Sequence, residues 1–251
     1  MFSYNELSTE VYDLTKPVGF SINGDKEYYL EKLKGCKGRI LEPFVGSGRM
    51  LIPLLKAGFT VDGIDYSPEM LASCRKRCLE QGFDPILIEG SVEHFSSSHQ
   101  YEAIIIPTGS FLLIEDRKTS MRTLKRLFDH LAPGGRLIVD LFLPASNLEI
   151  GKTSFSAYPL PSGELITMEE NCAEIDYINQ CTVSYLKYEK WREGKLIQSE
   201  LQRFPLRWYG YEEFKLILAN VGFSEISTAA DYKDHKQPTN ETSIFTFEAV
   251  K

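Results

Sequence analysis

The feature that most constrains this chain is a pair of stretches, Gly38-Arg-Ile-Leu-Glu-Pro-Phe-Val-Gly-Ser-Gly-Arg-Met-Leu-Ile-Pro-Leu-Leu and Gly63-Ile-Asp-Tyr-Ser-Pro. A short apolar run over 39–42 ends in a turn with glycines at 46 and 48. An amphipathic segment over 49–57 follows, with Met50, Leu51, Leu54 and Leu55 on one stripe, and Gly58 ends it. A second apolar run over 60–64 then leads to Asp65. Two strand-sized runs separated by one helical repeat predict a βαβ unit, the opening step of a parallel sheet with its helices on the faces.

The pattern then repeats. Ser67-Pro68-Glu69 reads as an N-cap, a first-turn proline and a first-turn acid, and starts a helix that runs to about Gln81. Strands are predicted over 86–88, 102–106 and 136–143, with a helix over 119–131 between the last two. Pro107-Thr-Gly-Ser breaks the chain after the fourth strand. Five strand–helix steps in series imply an α/β, doubly wound sheet. From about 152 the pattern changes to alternating strands, with Glu193-Gly194 as a hairpin turn. Helical periodicity returns over 211–219 before Gly222, and two last strands are predicted over 225–228 and 243–250. The expected organisation is an N-terminal helical cap (1–34), a main domain formed by 35–151 and 207–251, and an antiparallel insertion at 152–206 that could serve as a lid.

The cap holds a short segment over 3–14, a break at Pro17-Val-Gly19 and a helix over 25–33. Its aromatics, Tyr4, Tyr12, Phe20, Tyr28 and Tyr29, either pack on the sheet or lie over a ligand, and tyrosine suits both tasks.

Bulk properties narrow the functional classes. The formal charge of −7 and pI near 5.3 argue against wrapping a nucleic-acid backbone. No apolar run reaches the roughly 18 residues of a membrane span, and the N-terminus lacks a basic segment followed by an apolar core, so a cytoplasmic protein is expected. The five cysteines (36, 74, 78, 172, 181) read as free thiols. Cys74 and Cys78 share a helix face, but no second Cys/His pair lies nearby, so packing and no metal site is expected.

The chemistry lies in the glycine turn and the acid. Asp65 stands 17 residues beyond Gly48, near the roughly 20-residue spacing at which an acid meets a ribose diol. A diphosphate prefers a Gly-x-Gly-x-x-Gly turn at a helix N-terminus. Here Leu51 stands where the third glycine would be, and Glu42-Pro43 opens the turn. An acid there disfavours a diphosphate and suits a ligand carrying an ammonium group, which points to an aminoacyl nucleoside.

Ile40-Leu-Glu-Pro-Phe-Val-Gly-Ser-Gly-Arg-Met, Val61-Asp-Gly-Ile-Asp-Tyr-Ser-Pro-Glu-Met-Leu and Leu131-Ala-Pro-Gly-Gly-Arg-Leu-Ile-Val resemble, in order, motifs of the class I S-adenosylmethionine-dependent methyltransferases. Arg207-Trp-Tyr-Gly-Tyr-Glu-Glu-Phe and Ala219-Asn-Val-Gly-Phe resemble the family's late helix and entry to its sixth strand. The resemblance implies a seven-stranded, mostly parallel Rossmann-like sheet and S-adenosyl-L-methionine as cofactor. It also implies that Glu42 and the backbone from Phe44 through Gly46 to Gly48 surround the methionine and ribose. Asp65 would take the ribose hydroxyls, Tyr66 and Met70 would lie beside the adenine, and Ser91 and Val92 along its edge. Pro107 and Thr108 would line the methyl-donating end, with Tyr12 and Tyr28 as candidates to touch the methionine part. Many relatives carry an acid where Ser91 stands, so backbone or hydroxyl would serve there.

Methyl transfer from a sulfonium is an in-line displacement that needs alignment and dry surroundings, with a base only for a protonated nucleophile. His94, His99, His130 and His235 form no evident pair with an acid, so no catalytic residue is assigned. Glu-Pro-Phe-Val-Gly-Ser-Gly also resembles the first motif of adenine-amino methyltransferases of nucleic acids, but Pro107-Thr-Gly-Ser-Phe is not their Asn/Asp-Pro-Pro-aromatic tetrad. The insertion resembles the lid of small-molecule methyltransferases, including sugar-amine N-methyltransferases. Its aromatics, Tyr158, Tyr177, Tyr185, Tyr188 and Trp191, with Trp208 and Tyr209, could wall an acceptor pocket or a dimer contact. The expected partner is a small-molecule acceptor (N or O), with neither nucleic acid nor membrane, in a monomer or homodimer. RNA or protein methylation and non-catalytic cofactor binding are the alternatives.

Overall fold

The computed structural model describes residues 4–251. Seven strands form one sheet: β1 (Ile40–Pro43), β2 (Val61–Asp65), β3 (Leu87–Glu89), β4 (Tyr101–Ile106), β5 (Leu131–Leu141), β10 (Ser224–Ala230) and β11 (Phe245–Val250). Their order is β10-β11-β5-β4-β1-β2-β3. The pairs β1–β2, β1–β4, β2–β3 and β4–β5 are parallel, whereas β11 runs antiparallel to both β5 and β10. This is the doubly wound, mostly parallel sheet expected from the strand–helix series.

Side-chain alternation along the strands divides the core between the two faces. Ile104 and Ile106 pack with Leu124 and Leu127 of α5 (Arg117–His130) and with Phe214 and Leu218 of α6 (Tyr211–Val221). Ala103 and Ile105 face the other way, toward Tyr29 of α2 (Asp25–Lys32), Leu51 and Leu54 of α3 (Leu51–Lys56), and Leu71 and Cys74 of α4 (Pro68–Leu79).

Local chemistry accounts for the element ends. Ser67 caps α4 through Met70 N, 3.1 Å from its hydroxyl, and Gly222 ends α6 at φ 119°. Helix α5 starts two residues before its expected position because Asp116 accepts the Thr119 N–H at 2.7 Å. Strand β5 also begins early, where Leu131 pairs with Tyr101 ahead of a register shift. Helix α3 is shorter than its apolar stripe suggested, starting at Leu51. Pro107-Thr-Gly-Ser, expected only to break the chain, opens a 3₁₀ segment, Pro107–Leu113, with Thr108 and Gly109 in left-handed conformation.

Strands β6 (Thr153–Pro159), β7 (Leu165–Asp176), β8 (Cys181–Arg192) and β9 (Lys195–Arg207) form a separate antiparallel sheet in that order. Glu193 and Gly194 both have positive φ (49° and 74°), as a two-residue hairpin turn between twisted strands requires. Helix α1 (Glu6–Thr15) joins this sheet to the main one. Leu7 and Val11 pack with Ile166, Leu186 and Tyr188, and Leu7 N donates to Glu200 Oε1 at 2.9 Å. On its other side Asp13 pairs with Arg77 of α4 at 3.0 Å, and Ser67 Oγ donates to the Tyr4 carbonyl at 2.7 Å. Ser3, where the first segment was expected to begin, lies outside the described residues.

Candidate active site

The order of strands reverses between β1 and β4, and in open α/β sheets ligands bind outside the carboxyl ends at such a point. A cavity of about 690 Å³ opens there, within the usual size of a small-molecule site, roughly 300–1,000 Å³. Phe44, Gly46, Asp65 and Tyr66 line it from the ends of β1 and β2, and Met70, Ser91 and Val92 continue that wall. Thr108, Gly109, Ser110 and Phe142 line the part beyond β4 and β5. Tyr4, Tyr12 and Lys16 come from α1 and its C-cap, and Arg203, Phe204 and Leu206 from β9.

Asp65 is held from behind. Its Oδ2 accepts from Gly46 N at 2.8 Å and its Oδ1 from Ser67 N at 2.9 Å. Each carboxylate oxygen has a second lone pair, so two donors in the cavity can still be met. Burial pushes the Asp65 carboxyl above its ordinary range, opposed by the N–H groups of Ser67, Gly46 and Tyr66.

Glu42 lies deeper, 3% exposed, with no hydrogen-bond partner for Oε2. Burial pushes it up to about 8. Arg49 pulls against that rise, while Asp25 and Asp65 add to it. Arg49 has little charge to spare, because its Nη2 lies 2.6 Å from Asp25 Oδ2, with side chains 4% and 0% exposed. The Asp25–Arg49 pair ties α2 to the glycine turn. Asp25→Ala would leave a buried guanidinium without its anion, and a stability loss of about 3–5 kcal/mol is expected in urea unfolding. A loss under 1 kcal/mol would contradict that role.

Lys16 carries a further cation into the cavity, with its ammonium 4.6 Å from the Tyr12 ring centroid. Burial lowers the Lys16 ammonium below its ordinary value, and Arg49 adds to that shift. Toward the mouth, Arg203 of β9 binds both oxygens of Glu115 at 2.6 Å, and Arg207 Nε donates to the Glu115 carbonyl at 2.8 Å. The insertion is thus strapped to the chain that leads into α5.

Of the residues expected at the site, Tyr12, Phe44, Gly46, Asp65, Tyr66, Met70, Ser91, Val92 and Thr108 converge on the cavity. Four do not line it. Tyr28 turns away: its ring lies 5.5 Å from Tyr232 and 5.8 Å from Tyr29 in the core, because buried Asp25 puts that face of α2 against the sheet. Gly48, at φ 82°, serves helix packing, since a Cβ there would stand 2.8 Å from Cys74 Sγ. Pro107 is buried under the turn, where its carbonyl accepts from Ser110 Oγ. Glu42 is buried in β1, two residues before Phe44 of the cavity wall. The insertion's aromatics also sit elsewhere: Tyr188 packs on α1, Tyr209 is buried against Phe111 and Phe214, and Tyr177 is exposed beside Trp208. Lys16, Phe142, Arg203 and Ile244 were not foreseen. Only Lys16, next to the aromatic cap, left any local signal.

Residues 40–135, which contain the glycine turn, Asp65 and the turn after β4, match the family model described as "Methyltransferase domain". That span is a methyltransferase domain, and the sheet around it has the class I S-adenosylmethionine-dependent methyltransferase fold. This methyltransferase is 27% identical over 210 residues to a glycine/sarcosine N-methyltransferase of Halorhodospira halochloris, covering 82% of this chain and 74% of the relative. Its fold matches the sugar N-methyltransferase KedS8 of a Streptoalloteichus species with a TM-score of 0.76 at 19% identity, over 99% and 95% of the two chains. It also matches an S-adenosylmethionine-dependent methyltransferase of Clostridium acetobutylicum with a TM-score of 0.75 at 17% identity, over 96% of each. Among the described residues of the methyltransferase, no helix is long and apolar enough to cross a membrane, and no cluster of three potential ligands could hold a metal ion.

Proposed function

We propose that this methyltransferase moves a methyl group from S-adenosylmethionine to an amine nitrogen of a small molecule. One observation carries the cofactor placement: the partnerless Oε2 of buried Glu42 behind the same turn whose Gly46 N–H anchors Asp65. A buried carboxylate oxygen without a donor fits an ammonium group, and an anchored carboxylate facing the cavity fits a vicinal diol. Glu42 would hold the ammonium of the methionine moiety and Lys16 its carboxylate. Asp65 would hold the ribose, with Tyr66, Met70, Ser91 and Val92 around the adenine.

The bound cofactor supplies an electrophilic methyl group on a sulfonium. The chain's part is to orient and to keep dry. Helix α1 and strand β9 cover the cavity, while the Thr108–Ser110 turn and Phe142 shape the end beyond β4 and β5. The named N-methyltransferases among the similar proteins support nitrogen as the acceptor, and the net charge of −7 supports a small molecule over nucleic acid.

The test is methyl-labelled cofactor incubated with a panel of amino acids and amino sugars, alongside matched analogues in which hydroxyl replaces the amine. Label is expected in amine products only. Transfer confined to the hydroxyl analogues, or to added RNA, would contradict the proposal.

A further inference from the structure

One buried carboxylate takes no part in the cofactor contacts described above. Asp140, near the end of β5, is 0% exposed. Its Oδ2 accepts from Thr108 N at 2.7 Å and from the Tyr232 hydroxyl at 2.8 Å, and its Oδ1 accepts from Thr246 Oγ1 at 2.7 Å. These donors come from three places: the turn after β4, the turn after β10, and β11. Desolvating a carboxylate is costly unless its oxygens are met by donors, as they are here.

The turn that Asp140 holds needs holding. Thr108 has φ 55° and ψ 29°, and Gly109 follows at φ 74°. The left-handed region is unfavourable for a β-branched residue and persists only where the surroundings impose it. A Cβ on Gly109 would lie 2.3 Å from the Phe142 ring, so turn and ring are already in close contact. Thr108, Gly109, Ser110 and Phe142 all line the cavity, as does Ile244, two residues before Thr246. Asp140 therefore ties together the parts of the wall that follow β4, β5 and β10.

We propose that Asp140 is a positioning residue for methyl transfer: its carboxylate fixes the Thr108–Ser110 turn against Phe142 and so sets the wall against which the acceptor is aligned. This rests on the methyl-transfer reading of the cavity. It assigns Asp140 no contact with either substrate.

Two measurements test it, kinetics with the amine acceptor and backbone hydrogen exchange over 107–111. Asp140→Ala is expected to lower kcat by about tenfold or more, with cofactor affinity within about threefold of the parent, and to speed exchange in the turn. Asp140→Asn should retain most of kcat. Its carbonyl oxygen can still accept from Thr108 N and Tyr232, while its amide donates to Thr246 Oγ1, which can accept. In the Asp140→Ala background, Thr108→Gly should recover much of the lost kcat, because glycine holds positive φ without help. Undiminished kcat in Asp140→Ala would overturn the proposal. So would equal losses in Ala and Asn variants together with lost cofactor binding, the pattern of a merely structural role. If the parent methylates no amine while exchange responds as expected, the acceptor assignment fails and the hold on the turn stands.

Discussion

Asp65→Ala is expected to weaken binding of S-adenosylmethionine and of its demethylated product by about 100- to 10,000-fold. The variant loses two hydrogen bonds to a charged acceptor, each contributing about 1.5–3 kcal/mol, with every 1.4 kcal/mol a factor of ten. The substitution also frees Gly46 N and Ser67 N, so the glycine turn loses its anchor. Thermal unfolding reads the effect directly. A ligand at 100 times its dissociation constant stabilises the parent by about 2.7 kcal/mol. In the variant at the same concentration the rise in Tm should nearly vanish. Equal shifts in parent and variant would remove Asp65 from the ribose site. Asp65→Asn should fall between, since its amide can meet only part of the same donor set.

The second large effect is a proton released when the cofactor binds. Glu42 is pushed up to about 8 by burial, so at pH 7 the free protein holds it mostly protonated. An ammonium group arriving at Oε2 favours the ionised form and displaces that proton. Calorimetry in buffers of different ionisation enthalpy should show release of nearly one proton per cofactor at pH 7, falling toward zero by about pH 9. Glu42→Gln should abolish the release and weaken binding by about 10- to 100-fold. The free protein carries the same signature in its stability. The folded value of Glu42 lies above its unfolded one, so the native state binds the extra proton between them. The stability that this proton confers is complete below the unfolded value and is lost as pH rises through about 8. Glu42→Gln should flatten the decline of Tm between pH 5 and 9. A parent protein that releases no proton, or whose Tm climbs over that range, would show that Glu42 is already charged.

What could be read from the chain is what adjacent residues determine. Strand β1, the turn at Gly46, strand β2 and Asp65 form one continuous signature, and the hydrogen bond from Gly46 to Asp65 closes within it. The Glu193-Gly194 hairpin was legible for the same reason, since two consecutive positive φ angles select those residues. Glu42 was legible as an acid in the turn, although its burial and its unpartnered Oε2 were not.

The remainder depends on contacts between distant segments. Tyr12 and Tyr28 looked alike as aromatics of the cap. Asp25, one turn from Tyr28, is buried against Arg49 and turns that face of α2 toward the sheet, whereas α1 lies over the cavity. The strap between Arg203 and Glu115 joins residues 88 apart, and the Asp140 cluster joins β5 to residues 92 and 106 further on. Alternation along β9 showed a strand but not that Arg203 and Phe204 would reach the cavity, because which stretch meets the main domain depends on how α1 docks the second sheet.

We propose that the cavity between the carboxyl ends of β1, β2 and β4 is the S-adenosylmethionine site. The structure of the protein crystallised with S-adenosylhomocysteine tests it most directly. Both ribose hydroxyls are expected within hydrogen-bond distance of the Asp65 carboxylate, with the amino group at Glu42 and the thioether pointing toward the Thr108–Ser110 turn. A nucleoside bound elsewhere, or one with its ribose turned away from Asp65, would contradict the account.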